Sequence, residues 1–366
     1  MAFRDVYRGR RVLVTGHTGF KGSWLSAWLL HMGAEVCGFS NGIPTSPSLF
    51  ELAALSNRME HRVGDVRDLD ALRDTITSFR PDFVFHMAAQ PIVRTSYTDP
   101  VGTITSNVVG TTHVLEALRL VDHPCIAIVI TSDKCYDNVE WVWGYRETDP
   151  LGGKDVYSGS KAAAEVVFKS YWHSFFGRPD SPVKLATARA GNVIGGGDWA
   201  ADRIVADCVR AWGRGERVEI RSPSATRPWQ HVLEPLSGYL ALGEHVARTG
   251  KGDGESYNFG PRAEQNRTVV ELLGDLGLIW GFERADQAYA VTGNVPFHEA
   301  GLLKLNCDKA LLELGWEPNL SYRECMNMTG SWYRSVLKDG APAGDLTLEH
   351  VAEYERIAAE RGRAWV

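Results

Sequence analysis

Val12-Leu13-Val14-Thr15-Gly16-His17-Thr18-Gly19-Phe20-Lys21-Gly22-Ser23-Trp24-Leu25 sets a short apolar run against a glycine-punctuated turn and then a segment whose apolar residues recur at helical spacing through Leu30. The order is strand, turn, helix. In that context three glycines at three-residue intervals have physical tasks: a tight turn, backbone approach to a pyrophosphate, and close packing of helix on strand, with the helix N-terminus facing the phosphates. Gly16, His17, Gly19, Phe20, Lys21 and Gly22 therefore read as the loop of a dinucleotide site. His17 has two readings, a charged imidazole on the pyrophosphate or a side chain that packs the loop.

The chain beyond this unit keeps alternating strand and helix. Residues 35–39 predict a second strand, and a carboxylate near its end would hold the adenosine ribose. Ser40, Asn41 and Gly42 stand there instead, without an arginine, which favours NAD over NADP. Asp65, followed by Val66, ends a third strand and either accepts a hydrogen bond from the adenine amino group or caps a helix. A fourth strand over 82–86 leads into Ala88, Ala89 and Gln90, small or polar residues at the sheet edge where ligands bind. A helix is predicted over 107–121. The apolar strand 126–130 runs into Thr131-Ser132-Asp133-Lys134-Cys135-Tyr136, where dense polar chemistry follows a buried strand. The aromatic segment from Trp141 to Tyr145 either walls a pocket or packs on the surface.

Tyr157-Ser158-Gly159-Ser160-Lys161 opens another helix. Residues four apart share a face, so a phenol stands beside an ammonium. That neighbour favours the phenolate and lowers the tyrosine pKa from about 10, which suits a general base. A strand over 184–190 precedes the loop Gly191-Asn192-Val193-Ile194-Gly195-Gly196-Gly197-Asp198-Trp199, whose glycines suggest close approach to a ligand. Past it the alternation is lost, although 257–260 looks like a returning strand and helices are expected over 269–280 and 321–336. The fold class is α/β, a Rossmann-type doubly wound parallel sheet with a smaller, interleaved C-terminal substrate-binding domain. The expected division is 1–190 with 232–261 for the cofactor, 191–231 with 262–340 for the substrate, and 341–366 as a helical extension.

Composition narrows the partners. A chain of 366 residues suggests roughly two domains. A net charge of -6 without a basic run argues against nucleic acid and against an anionic membrane surface. No apolar stretch approaches the ~20 residues of a membrane helix, and no cleavable signal is visible. Six cysteines without paired or metal-ligand spacing point to reduced thiols in a cytoplasmic protein, and eleven histidines without H-E-x-x-H spacing predict no metal.

Ser132, Tyr157 and Lys161 together form a hydroxyl, a tunable phenol and a cation beside a nicotinamide site. With them the sequence resembles the extended short-chain dehydrogenase/reductase family over nearly its whole length. The runs from Thr15 to Leu25, His86 to Pro91, Thr131 to Asn138, Arg189 to Trp199 and Arg227 to Val232 are similar to those of its nucleotide-sugar 4,6-dehydratases, rather than its epimerases. The resemblance implies CDP-glucose as substrate and an internal redox cycle in deoxysugar synthesis. Tyr157 removes the C4 hydroxyl proton as hydride passes to NAD, water leaves across C5 and C6, and the hydride returns to C6. It implies Ser132 on the same oxygen, Lys161 beside the tyrosine, and Asp133 as the acid for the leaving hydroxyl. Lys134 stands where related dTDP-glucose enzymes carry Glu. It is either a neutral C5 base or a group that orders the ketone oxygen while a water serves, and an ion pair with Asp133 or Asp137 is the bland alternative. Val66 and Asn107 join the cofactor site, and Asn192, Trp199, Arg203, Arg227 and Lys304 the substrate site; Arg221 and Arg262 read equally as surface charges. Apolar residues on the helices over 107–121 and 157–176 beyond one sheet-facing stripe imply a homodimer or homotetramer through a helix bundle. An epimerase of the same fold and a non-catalytic NAD sensor are the rival readings. The base specificity for cytosine comes from the resemblance alone.

Overall fold

The computed structural model describes residues 2–220, 223, 225–262, 265–292 and 302–366. Seven strands form the main sheet: β1 (Arg11–Thr15), β2 (Glu35–Ser40), β3 (Glu60–Val63), β4 (Phe83–His86), β5 (Cys125–Ile130), β6 (Val183–Ala190) and β7 (Glu255–Phe259). Their order is β7-β6-β5-β4-β1-β2-β3, and each neighbouring pair is parallel. Successive side chains of a strand point to opposite faces. Accordingly Leu13, Val84, Ala127 and Leu185 enter one core with Leu72, Ile76, Val114 and Leu118. Val12, Val14, Phe85 and Ile128 enter the other with Trp24, Trp28, Leu236 and Leu240. Both faces are covered, which is why the central strands are almost continuously apolar. This is the doubly wound Rossmann-type arrangement.

The glycine turn has the expected geometry. Gly16 has φ +75°, and a Cβ on Gly22 would lie 2.2 Å from the Gly16 carbonyl oxygen, so the helix Phe20–His31 leaves β1 at a distance no side chain permits. The chain then winds outward to β3 and crosses back to β4, on the other side of β1. The carboxyl ends of β1 and β4 consequently flank the switch point, where ligands bind in such sheets.

Two expectations shift. The helix predicted over 107–121 is the helix Gly110–Leu118, entered through the wide turn Thr105–Val109 and the helix Pro100–Ile104. The earlier start has a local cause: Pro100 occupies the first turn and the Asp99 carboxylate accepts the Gly102 amide at 2.9 Å. The returning strand is Glu255–Phe259, and it pairs with β6 as the sheet edge. After β6 the excursions form small pairings, Val193–Ile194 with Gln230–His231 and Thr226–Pro228 with Asn266–Thr268. The last helix, Ala343–Glu360, folds back on the first, where Trp28 Nε1 donates to Glu355 Oε1 at 2.7 Å. Among the described residues no helix is long and apolar enough to cross a membrane.

Candidate active site

The polar groups gather at the carboxyl edge of β1, β4, β5 and β6. Just past β5, Thr131 still donates its amide to Ala188 O at 2.9 Å, which holds the chain in register until it turns. Ser132 then caps the short turn Asp133–Cys135: its Oγ accepts the Lys134 amide at 3.2 Å and donates to Asp133 Oδ1 at 3.0 Å. Asp133 is buried, and burial raises its carboxyl above the usual range against the opposing charges of Lys134 and Lys21. Among the described residues no close ion pair joins Lys134 to Asp133 or Asp137, although the Lys134 charge acts on Asp133.

The helix Val156–Tyr171 begins at Asp155, whose carboxylate accepts the Ser158 amide at 2.9 Å. Tyr157, Lys161, Glu165 and Phe168 fall on its buried face. The shared face is as the spacing predicts; the tuning of the phenol is not. Burial pushes Tyr157 up to about 12, opposed by a hydrogen bond with Ser132 and the charge of Arg203. Burial likewise lowers Lys161 to about 8, with Cys135 and Glu165 acting against it. Desolvation, which spacing does not report, is the largest cause of both shifts.

Behind this pair lies a buried ion pair that the sequence reading missed. Arg189 Nη2 donates to Glu165 Oε2 at 2.8 Å, both side chains being buried. Thr187 donates to the same oxygen at 3.0 Å, and Arg189 Nη1 donates to Tyr136 OH at 2.8 Å. Glu165 sits one turn beyond Lys161, so the signal was its place on the buried face.

The cofactor positions divide. The helix Phe20–His31 starts at Gly19 without a side-chain cap, which leaves its first amides to an external acceptor at the switch point. Ala88 and Ala89 border it half-buried, and the Ala88 amide is held by Thr15 Oγ1 at 3.2 Å. That donor set fits a dinucleotide diphosphate. His17 does not belong to it: the ring is buried, bonded to Ser40 Oγ at 2.9 Å and His61 Nδ1 at 2.7 Å, and burial holds it near 4. It packs the loop as a neutral ring. Lys21 also departs, since its Nζ reaches Tyr239 OH at 3.3 Å, and burial with the charges of Arg203 and Lys161 lowers it to about 8. Asp65 caps no helix, a task Asp68 performs. Its carboxylate is held by Arg67 at 2.6 Å and by Asn41 at 3.2 Å, which keeps it near 2. Val66 is buried against Gly110. Asn107 spends its amide on the Gln90 backbone at 2.8 and 3.1 Å and on Ser160 at 2.9 Å. The Gln90 side chain is taken by Thr103 and the Ile92 amide.

Of the substrate candidates, Arg203 comes near the candidate catalytic residues, its charge acting on both Tyr157 and Lys21. Trp199 is buried edge-to-face on Tyr333 at 5.4 Å. Arg227 lies on the strand Thr226–Pro228 opposite Arg267, and Asn192 is half-buried after β6. Lys304 meets the aromatic segment through its backbone, where the Tyr145 amide donates to its carbonyl at 2.8 Å. That segment stacks inward as Trp141 on Tyr145 on Tyr136, while Trp143 is 69% exposed. Arg262 pairs with Glu317 at 2.7 Å, and Arg221 lies outside the described residues. Glycines of the 191–199 loop make room for neighbouring protein. A Cβ on Gly196 would lie 2.0 Å from Trp332, and one on Gly191 would lie 3.0 Å from Asp133 Oδ2. Among the described residues no cluster of three or more His, Cys, Asp or Glu is placed to hold a metal ion.

A family model described as GDP-mannose 4,6 dehydratase matches residues 13–329. The CDP-glucose 4,6-dehydratase of Salmonella typhimurium is 47% identical over 341 residues, covering 92% of this chain and 94% of that one. Among solved structures, the epimerase Mth375 of Methanothermobacter thermautotrophicus superposes with a TM-score of 0.78 at 24% identity, covering 91% of this chain and 95% of that one. The dTDP-glucose 4,6-dehydratase DesIV of Streptomyces venezuelae, solved with NAD and TYD bound, gives 0.74 at 23% identity, covering 89% and 97%. At such identities the two structures speak for the fold.

Proposed function

The chain belongs to the GDP-mannose 4,6-dehydratase family, and from that premise we propose that it is a hydro-lyase converting CDP-glucose to CDP-4-dehydro-6-deoxyglucose in deoxysugar synthesis. One observation carries the reading: a buried carboxyl, Asp133, is hydrogen-bonded by the Ser132 hydroxyl and its charge acts on the oxidation-site phenol, Tyr157. An epimerase needs the phenol but no acid for a departing hydroxyl.

The uncapped start of the helix Phe20–His31, with Ala88 and Ala89 beside it, would hold NAD, which would supply a hydride acceptor for C4 and a hydride donor for C6. Tyr157 removes the C4 hydroxyl proton, Ser132 holds that oxygen, and Lys161 supplies a cation beside the phenol. Asp133, favoured in its protonated form by burial, protonates the C6 hydroxyl as it leaves. Lys134, adjacent to Asp133 in the same turn, takes the C5 proton. Arg203 and Arg227 suit the diphosphate because a guanidinium binds it bidentately, with Asn192, Trp199 and Lys304 completing the nucleotide-sugar region.

The division of labour follows the chain: 1–190 with 232–261 for cofactor and 191–231 with 262–340 for sugar nucleotide. Exposed Val101, Ile104, Val109 and Val166 on neighbouring helices support a homodimer or homotetramer. All six cysteines are unpaired, in keeping with a reducing cytoplasm.

Incubation with CDP-, dTDP-, UDP- and GDP-glucose in parallel, followed by an absorbance scan in alkali, tests the reading. A 4-keto-6-deoxy product enolises and absorbs, and it should form from CDP-glucose first. Interconversion of epimers without that chromophore would overturn it.

A further inference from the structure

Thr131 and Tyr136 stand at the two ends of the stretch that carries Ser132, Asp133 and Lys134, and both are tied to one buried ion pair. Thr131 donates its hydroxyl to Glu165 Oε1. Tyr136, just past the turn Asp133–Cys135, accepts from Arg189 Nη1 at 2.8 Å and donates to Asn258 Oδ1 at 2.8 Å. Arg189 Nη2 closes the link by donating to Glu165 Oε2 at 2.8 Å. Glu165 belongs to the helix Val156–Tyr171, one turn beyond Lys161 and two beyond Tyr157, on the same buried face.

The sheet supplies the base of this arrangement. Thr187 and Arg189 alternate with Ala188 on β6 and so point to one face; Thr187 donates to Glu165 Oε2 at 3.0 Å. Ser256 on β7 donates to the same oxygen at 3.1 Å and accepts from Arg189 Nη2 at 3.2 Å. The carboxylate thus receives donors from β6, from β7 and from the end of β5. Burial would raise Glu165, but the Arg189 charge and the hydrogen bonds from Arg189, Thr131 and Thr187 hold it below the usual carboxylate range, so it stays an ionised acceptor. A buried ion pair often stabilises a fold no better than well-packed apolar side chains. What its directional hydrogen bonds add is a fixed placement of the elements they join.

We propose that Glu165 and Arg189 are positioning residues, a clamp that fixes the turn bearing Asp133 and Lys134 against the helix bearing Tyr157 and Lys161. On the dehydratase reading, on which this inference rests, the helix serves oxidation at C4 and the turn serves elimination across C5 and C6. Both steps act on one bound sugar, so the two elements must keep a common register from one step to the next. A loosened clamp leaves the oxidation its helix residues and weakens at most the hold of Ser132 on the C4 oxygen. Elimination loses the placement of its acid and its base together, and is slowed more.

Glu165→Gln would strand the guanidinium and unsettle the fold, so the test uses variants that keep the ion pair. Thr131→Val removes the hydroxyl that reaches Glu165, and Tyr136→Phe removes the oxygen that accepts from Arg189. Each holoenzyme is mixed rapidly with CDP-glucose; nicotinamide reduction is followed by absorbance and 4-keto-6-deoxy product by quenching. In both variants kcat for product should fall on the order of 10- to 100-fold, the scale of an ångström of misplacement, with KM little changed. Reduced nicotinamide should accumulate beyond the wild-type level, because oxidation outruns elimination. Thr131→Ser, which keeps the hydroxyl, should match the wild type. A fall of both rates in the same proportion, wild-type kinetics in either variant, or an equal defect in the serine and valine proteins would overturn the clamp. If one variant does not fold, the other decides by the same criteria. A wild-type enzyme that forms no 4-keto-6-deoxy product from CDP-glucose would instead overturn the dehydratase reading itself.

Discussion

Lys21 Nζ lies 3.3 Å from the Tyr239 hydroxyl although 218 positions separate them in the chain. The glycine loop thus brings its lysine near Asp133, Lys161 and Arg203, where burial and the two cations lower it to about 8. A lysine whose folded pKa lies below its unfolded one destabilises the fold while both states are protonated, and that cost fades as pH rises from about 8 to the ordinary 10.5. Lys21→Met should therefore stabilise the protein by about 3 kcal/mol at pH 7 and by much less at pH 10. Urea unfolding at the two pH values checks this; an equal effect at both would show that charge burial is not the cause.

Lys134 separates oxidation from elimination. Lys134→Met should still reduce NAD on addition of CDP-glucose, seen as nicotinamide absorbance, while exchange of the C5 proton with deuterated solvent is lost. Undiminished exchange at C5 would remove Lys134 from the role of base.

The Glu165–Arg189 pair is buried on both sides, so breaking it leaves a charge without its partner. Glu165→Gln should cost on the order of 3–5 kcal/mol in chemical unfolding. The double change Glu165→Gln with Arg189→Met should cost less than that single change, because the orphaned charge goes too. Additive losses would mean that the pair does not act as a unit.

Asp65 occupies Arg67, with the guanidinium at 2.6 Å from its carboxylate and Asn41 at 3.2 Å on the same group. Those residues stand past the ends of β2 and β3, where the adenosine ribose is held in such folds. Asp65→Asn should release Arg67 toward a 2′-phosphate and raise the ratio of NADP to NAD affinity about tenfold, roughly 1.4 kcal/mol. Titration of both cofactors by tryptophan fluorescence measures it, and an unchanged ratio would place Arg67 away from the ribose.

The sequence by itself determined the sheet, the phosphate turn and the pairing of Tyr157 with Lys161 on one helix face. These are short-range properties: β-branched runs, glycine intervals and a spacing of four report local geometry directly. Tertiary structure decided what those groups are chemically. His17 sits in the loop, yet its ring is bonded to Ser40 and His61. Gly196 and Gly191 make room for Trp332 and Asp133, neighbours that the spacing does not name. The Tyr157 phenol is raised rather than lowered, because desolvation sums over every neighbour that excludes water, most of them distant in the chain. The partners of Lys21 and Glu165 were hidden for the same reason. Spacing fixes which residues can share a face; only the packed core fixes which charges lose their water and what they find in its place.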